Sequence, residues 1–191
     1  MNNPPNESKA LLRRQLRRAL AGLDPAERAN GSARICQRLR KLPMWRRARA
    51  ILAFYPLAGE PDLRPMFEEA WASGREVSFL RFHAGTDLFE PCLVRGMEEL
   101  VPGAFGVREP AAYCPRFDVN RLDLTLVPGI GFSLNGDRLG RGRGYYDRLL
   151  SGVAGFRCGV AFDCQVVAAL SVDPHDIRLH GILTPTRWQL C

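Results

Sequence analysis

RAILAFYPLAGEPDLRPMFEEAWASGREVSFLRF, residues 49–82, decides the fold. Ile51, Leu52, Ala53 and Phe54 form an unbroken apolar run, the pattern of a strand covered on both faces. A strand is therefore expected from Arg49 to Tyr55. Pro56-Leu57-Ala58-Gly59-Glu60-Pro61 ends it, a helix follows from Asp62 to about Ser73, and Glu76–Phe82 reads as a second strand. Strand, helix and strand in that order are the unit of a parallel sheet. Ligands of such sheets gather at the carboxyl ends of strands, so Tyr55 and Glu60 are well placed for a site. Glu60 also reads simply as an exposed loop carboxylate.

The neighbouring segments extend the same architecture. Residues 1–7 read as a disordered leader. A helix starts near Ser8, its N-cap, with Leu11, Leu12, Leu16 and Leu20 at helical spacing and Lys9, Arg13, Arg14, Arg17 and Arg18 on the other face. Asp24-Pro25-Ala26-Glu27 opens a second helix, with Asp as cap and Pro in the first position, running to about Lys41 before Pro43. Leu88–Val94, Leu122–Val127, Arg157–Phe162 and the stretch from Gly181 read as strands, and Ala111–Asn120 as a connecting loop. The fold class expected is α/β: one domain over residues 8–191, with a mostly parallel, Rossmann-like sheet flanked by helices on both faces.

The chemistry concentrates in Val127–Leu150, VPGIGFSLNGDRLGRGRGYYDRLL. After the apolar strand come Gly136, Gly140, Gly142 and Gly144, interleaved with Arg138, Arg141 and Arg143, then Tyr145, Tyr146 and Asp147. Glycines let backbone N–H groups approach a ligand closely, and a glycine loop leading into a helix makes an anion site. Guanidinium groups add bidentate geometry suited to phosphate or carboxylate. Asp147 stands where a metal held by phosphates would need an oxygen ligand. No Gly-Lys-Ser/Thr follows, so this is not a Walker loop, and it is not a dinucleotide fingerprint. The plainer alternative is a flexible, soluble surface loop.

The chain has 191 residues, 27 Lys and Arg against 20 Asp and Glu, and a formal charge of +7. That excess suits an anionic partner such as a nucleotide, a polyglutamate or nucleic acid. Cysteines 36, 92, 114, 158, 164 and 191 form no C-x-x-C pair, and no secretory signal is evident, so reduced thiols in a cytoplasmic protein are expected. No apolar run reaches the roughly 18–20 residues that cross a bilayer.

Leu134–Leu150, LNGDRLGRGRGYYDRLL, resembles the signature of the 5-formyltetrahydrofolate cyclo-ligase family, G-x-R-L-G-x-G-x-G-Y-Y-D, in which Gly or Lys often stands at the position of Arg143. The resemblance extends from Lys9 to Trp188. Lys9-x-x-x-Arg13 is similar to the family's N-terminal basic pair. Phe105-Gly106-Val107-Arg108-Glu109-Pro110 is similar to its F/W-G/N-I-x-E-P. Gly159–Gln165, Asp173-Pro174-His175-Asp176 and Gly181–Pro185 match further segments.

The resemblance implies ATP and Mg2+ as cofactors. It places Lys9, Arg13 and the run Arg138, Leu139, Gly140, Arg141, Gly142, Arg143, Gly144, Tyr145 and Tyr146 against ATP, with Asp147 on the metal. Arg13, Tyr55, Glu60, Phe105, Arg141, Gly142, Arg143, Gly144 and Tyr145 would meet the folate, and Arg138, Arg141, Arg143 and Tyr146 would carry catalysis. Phe105 reads equally as a core residue, and His175 as a turn histidine. The implied chemistry is transfer of the γ-phosphoryl group to the formyl oxygen, attack by the neighbouring substrate amine, ring closure and loss of phosphate. No protein base is obligatory.

The substrate implied is a small molecule, 5-formyltetrahydrofolate with or without a polyglutamate tail. A monomer without nucleic-acid or membrane partners is expected. One departure stands out: His180 replaces an Asp that helps hold magnesium in many members, and Asp147, Asp163 or Asp176 is left to supply the ligand. Rival readings are a basic nucleic-acid-binding module and a sugar-phosphate or acyl-CoA enzyme on a similar sheet.

Overall fold

A computed structural model describes residues 5–173 and 176–191, with side chains from Ser8 onward. The expectations for residues 1–4 and for the Pro174-His175 turn lie outside the described residues. In chain order the elements are α1 (Pro5–Gly22), α2 (Pro25–Leu39), α3 (Pro43–Arg47), β1 (Ala50–Leu52), α4 (Arg64–Ala72), β2 (Glu76–His83) and β3 (Leu88–Val94). They continue with β4 (Leu100–Pro102), β5 (Arg108–Pro110), β6 (Leu124–Val127), β7 (Gly131–Ser133), β8 (Arg138–Leu139), α5 (Tyr145–Leu150), β9 (Phe156–Val160), β10 (Val166–Val167), β11 (Gly181–Leu183) and β12 (Trp188–Leu190).

The main sheet has seven strands in the order β12-β11-β9-β6-β1-β2-β3. Its inner strands β11, β9, β6, β1 and β2 run parallel, and the edges β3 and β12 run antiparallel. The apolar run in β1 is used on both faces. Ile51 and Ala53 join the core beneath α2, α3 and α4, where Ile35, Leu39, Trp45 and Met66 are buried. Ala50 and Leu52 face the opposite layer with Phe117, Leu122 and Val153. Alternation of side chains along a strand sends neighbours to opposite faces, and both are covered. The second layer is thinner: α5 and the 117–122 segment cover part of it, and β7 covers the rest through Phe132, which packs on Val127, Leu150 and Ile182.

Two local expectations are corrected and a third, the cap of α2, holds. Helix α1 begins at Pro5, so Ser8 lies inside its first turns and does not cap it. Asp24 does cap α2: its carboxylate accepts from Glu27 N at 2.7 Å and Glu27 Oε2 accepts from Asp24 N at 2.8 Å. The glycine segment does not run directly from a strand into a helix. A hairpin, β7–β8, intervenes, with Gly136 in its turn, and joins β10 in a three-stranded sheet. The hairpin is too short to show alternation, but Ile130, Phe132 and Leu139 are buried in it. Ser133 Oγ donates to Asp137 Oδ2 at 2.8 Å across its turn.

This small sheet positions α1. Leu12 and Leu16 pack on Ile130, Leu139, Val167 and Leu170. The opposite helix edge then carries Lys9 and Arg13, four residues apart, over the loop that follows β8. No described helix is long and apolar enough to cross a membrane.

Candidate functional site

Where β1 and β6 end, the chain leaves the sheet at Ala53–Tyr55 and at Pro128–Gly129. These residues form the floor of a cleft of about 480 Å³. α1, the loop 140–144 and α5 build its walls. All fifteen residues singled out from the sequence line this one cleft. Their proximity is not evident from their positions in the chain, because Lys9 and Arg13 reach it only through the packing of α1 on the small sheet.

Six cationic side chains and four carboxylates line the cleft. Lys9 Nζ lies 2.6 Å from Asp173 Oδ2 and 3.1 Å from Asp176 Oδ2. Burial works against the Lys9 charge, but the two carboxylates outweigh it and hold its pKa above the ordinary lysine value. Arg138 Nη2 donates to both oxygens of Asp147, at 2.9 and 3.0 Å, and its guanidinium lies over the Tyr146 ring at 5.3 Å. That pair is nearly closed to water, with side-chain exposures of 5% and 16%. Arg141 Nη2 reaches Glu60 Oε1 at 2.9 Å, and the second Glu60 oxygen accepts from Leu57 N at 3.0 Å.

The other three cations have no carboxylate partner among the described residues. Arg13 Nε donates to the Gly140 carbonyl at 2.9 Å, which pins its guanidinium to the loop and leaves both terminal nitrogens without an acceptor among the described residues. Arg143 reaches only the Tyr145 hydroxyl, at 3.3 Å, and stacks on Phe105 at 4.8 Å. Arg108 donates to the Leu100 carbonyl and lies 5.9 Å from the Tyr55 ring centre. The cleft is thus cationic by surplus, and its paired cations can exchange a carboxylate for an incoming phosphate.

The loop backbone agrees with close approach to a ligand. Gly142 has φ 105 and Gly144 φ 66, values that side chains rarely adopt. A Cβ on Gly142 would sit 3.7 Å from the Arg13 guanidinium. The helix after the loop, α5, has six residues, so charge here comes chiefly from side chains.

An aromatic wall stands beside the cations. Phe89, Phe105 and Tyr145 line the cleft, and Phe82 backs them, with ring centroids 5.0–6.3 Å apart. Phe105 is 51% exposed, which excludes the core role. Burial, reinforced by the Glu60 charge, pushes the Tyr146 phenol far up and keeps it protonated.

Several lining residues were not singled out in advance: Arg108, Phe89 and Asp173. Arg108 lies inside the quoted Phe105–Pro110 segment. Phe89 sits between exposed Leu88 and half-buried Glu90 in β3 and looks like any strand residue.

The metal reading needs revision in one part. His180 precedes β11 and so lies at the amino end of the parallel strands, opposite the cleft. Its Nδ1 accepts from Arg157 N at 3.0 Å, and burial together with the Arg157 charge depresses its pKa. Asp163 is engaged by Thr184 and Thr186, at 2.5 and 2.7 Å, and does not line the cleft. Asp147 and Asp176 remain. Among the described residues no three His, Cys, Asp or Glu side chains form a cage. The donor set therefore fits magnesium carried in on phosphate oxygens and taking a single carboxylate, the usual mode for that ion. Asp147 retains lone pairs for it beyond those given to Arg138.

A second groove, about 520 Å³, runs along α1 and is lined by Arg13, Arg14, Arg17, Arg18 and Arg141 with Ala10 and Ala21. Arg13 and Arg141 belong to both, so groove and cleft are continuous.

Comparison with known proteins gives a consistent picture. Residues 5–185 match the model of the 5-formyltetrahydrofolate cyclo-ligase family. The chain is 32% identical over 189 residues to 5-formyltetrahydrofolate cyclo-ligase of Escherichia coli K12, covering 92% of this chain and 98% of that protein. It is 26% identical over 195 residues to the Mus musculus enzyme of the same name, covering 93% and 94%. Among solved structures, 5,10-methenyltetrahydrofolate synthetase of Aquifex aeolicus superposes with a TM-score of 0.86 at 32% identity, covering 95% of this chain and 92% of that one.

Proposed function

The chain belongs to the 5-formyltetrahydrofolate cyclo-ligase family, and on that premise we propose how its cleft converts 5-formyltetrahydrofolate to 5,10-methenyltetrahydrofolate. The observation that carries the reading is the union, in one cleft, of guanidinium groups that make no salt bridge among the described residues with an aromatic wall and the Glu60 carboxylate.

Bound magnesium-ATP supplies the phosphoryl group that turns the formyl oxygen into a leaving group. Lys9, Arg13, Arg141 and Arg143 screen the negative charge of the phosphates, which is the main task in phosphoryl transfer. The backbone from Leu139 to Gly144 lets those phosphates approach closely. Arg138 is held in one orientation by Asp147 and Tyr146, so its charge is in place before the substrate arrives. Asp147 supplies the carboxylate for magnesium. Glu60 accepts from the amino-pyrimidinone edge of the pterin when Arg141 turns to phosphate, and Tyr55, Phe105 and Tyr145 pack on the ring. The nucleophile is an amine of the substrate, so the protein's contribution to ring closure is to hold that amine near the activated carbon.

The substrate's anionic tail, with one glutamate or several, lies along the arginine groove of α1. Arg17→Ser combined with Arg18→Ser should raise KM for a polyglutamylated substrate several-fold and leave KM for ATP unchanged. Equal effects on both, or none, would remove the groove from substrate binding.

The central test is growth of methenyl absorbance on mixing protein, magnesium-ATP and 5-formyltetrahydrofolate. Signal is expected only with ATP, and Asp147→Ala should reduce it by about 10²-fold or more. A folded protein that binds ATP and gives no signal would overturn the mechanism.

A further inference from the structure

We infer that Asp87, at the tip of the β2–β3 hairpin, is a positioning residue that acts through Tyr145. The inference rests on the reading that Tyr145 and Arg143 belong to the reaction site. Asp87 does not line the cleft and meets it through Tyr145.

Three contacts converge on Tyr145. Its hydroxyl donates to Asp87 Oδ1 at 2.8 Å, and Arg143 Nη1 donates to the same hydroxyl oxygen at 3.3 Å. Arg148 lies 5.0 Å over the Tyr145 ring and donates from Nη2 to the Asp87 carbonyl at 3.4 Å. The direction of these bonds matters. A phenol hydroxyl has one proton, and a guanidinium has only donors. The hydroxyl can accept from Arg143 with good geometry only when its own proton points elsewhere. Asp87 takes that proton, so the lone pairs of Tyr145 are turned toward Arg143. The carboxylate thereby orients a cation of the cleft, Arg143, that makes no salt bridge among the described residues, and its charge also favours that guanidinium directly.

The backbone gives a second sign. Asp87 has φ 52, in the left-handed region that Asp and Asn enter more readily than other side chains. That conformation carries its side chain to α5, 58 positions away in sequence. Phe82 and Phe89, which flank the hairpin tip, pack edge-on to the same Tyr145 ring at 6.0 and 5.0 Å.

The backbone conformation also makes a clean test available. Asp87→Gly removes the carboxylate at a φ that glycine adopts freely, so the backbone conformation is not penalised. Loss of one charge-assisted hydrogen bond should lower kcat for ATP-dependent methenyl formation about tenfold, with KM for ATP unchanged. Asp87→Asn keeps an acceptor and tolerates the left-handed backbone, and should recover activity to within about threefold of the starting protein. In a double-variant cycle, Asp87→Gly with Tyr145→Phe should be no slower than Tyr145→Phe alone. Additive losses would overturn the inference, as would a slow Tyr145→Phe variant beside a fully active Asp87→Gly. Full activity in Tyr145→Phe would overturn the reading of the site and the role of Asp87 with it.

Discussion

Arg138→Met is expected to lower kcat/KM by roughly 10³-fold and also to destabilise the fold. The activity loss follows from removing a fixed cation from a phosphoryl-transfer site, where a single preorganised donor is worth about 10²–10³-fold. The stability loss has a separate cause. Asp147 gives both oxygens to Arg138 in a pair that is largely shielded from water. Removing one partner of such a pair leaves an uncompensated charge and costs about 3–5 kcal/mol. The two effects can be separated. Arg138→Met combined with Asp147→Leu removes both charges and should recover much of the lost stability, because an apolar pair of similar volume is often neutral. It should recover no activity. Steady-state kinetics and calorimetry on the two variants decide the matter: single-variant activity within tenfold of the starting protein would show that Arg138 is structural only.

Trp45→Ala should act the other way, on stability with little effect on chemistry. Trp45 is 2% exposed, in the core between α2, α4 and the main sheet, and does not line the cleft. Arg75 packs over its ring at 4.5 Å and is anchored to the Trp45 carbonyl at 3.1 Å. Truncating a buried tryptophan typically costs about 3–5 kcal/mol through lost transfer energy and the cavity left behind. For a chain of this length that corresponds to a fall in Tm of roughly 10 °C. Activity per folded molecule at low temperature should stay near that of the starting protein. A Tm change under about 2 °C would mean that the site collapses without leaving a cavity.

Much of this architecture was legible in residues 49–82. The unbroken apolar run in β1 and the helix after it led to a parallel pair, and β1 and β2 do pair in parallel. The capping box of Asp24 and Glu27 was equally readable, because such signals depend on neighbours within one turn. The hairpin β7–β8 was not legible. Its strands have three and two residues, and they are stabilised by burial under α1 and against Val127 and Ile182 rather than by a periodic pattern of their own. Helix α1 starts three residues before Ser8; a serine that can cap a helix is also able to sit inside one.

The site divides in the same way. The local sequence determined the chemical inventory: glycines where a loop needs left-handed backbone, arginines for anions, and a carboxylate at the loop's end, all within a few residues of each other. It also determined that Tyr55 and Glu60 stand at the end of a buried strand. Only the tertiary structure decided which charges meet. Arg138 with Asp147, Arg141 with Glu60, Lys9 with Asp173 and Asp176, and Tyr145 with Asp87 are set by how α1, the small sheet and the β2–β3 hairpin pack around the strand ends. The physical reason is range. Backbone conformation is governed by sterics and hydrogen bonds between near neighbours, whereas an ion pair forms wherever packing brings two side chains within about 4 Å, whatever their separation along the chain.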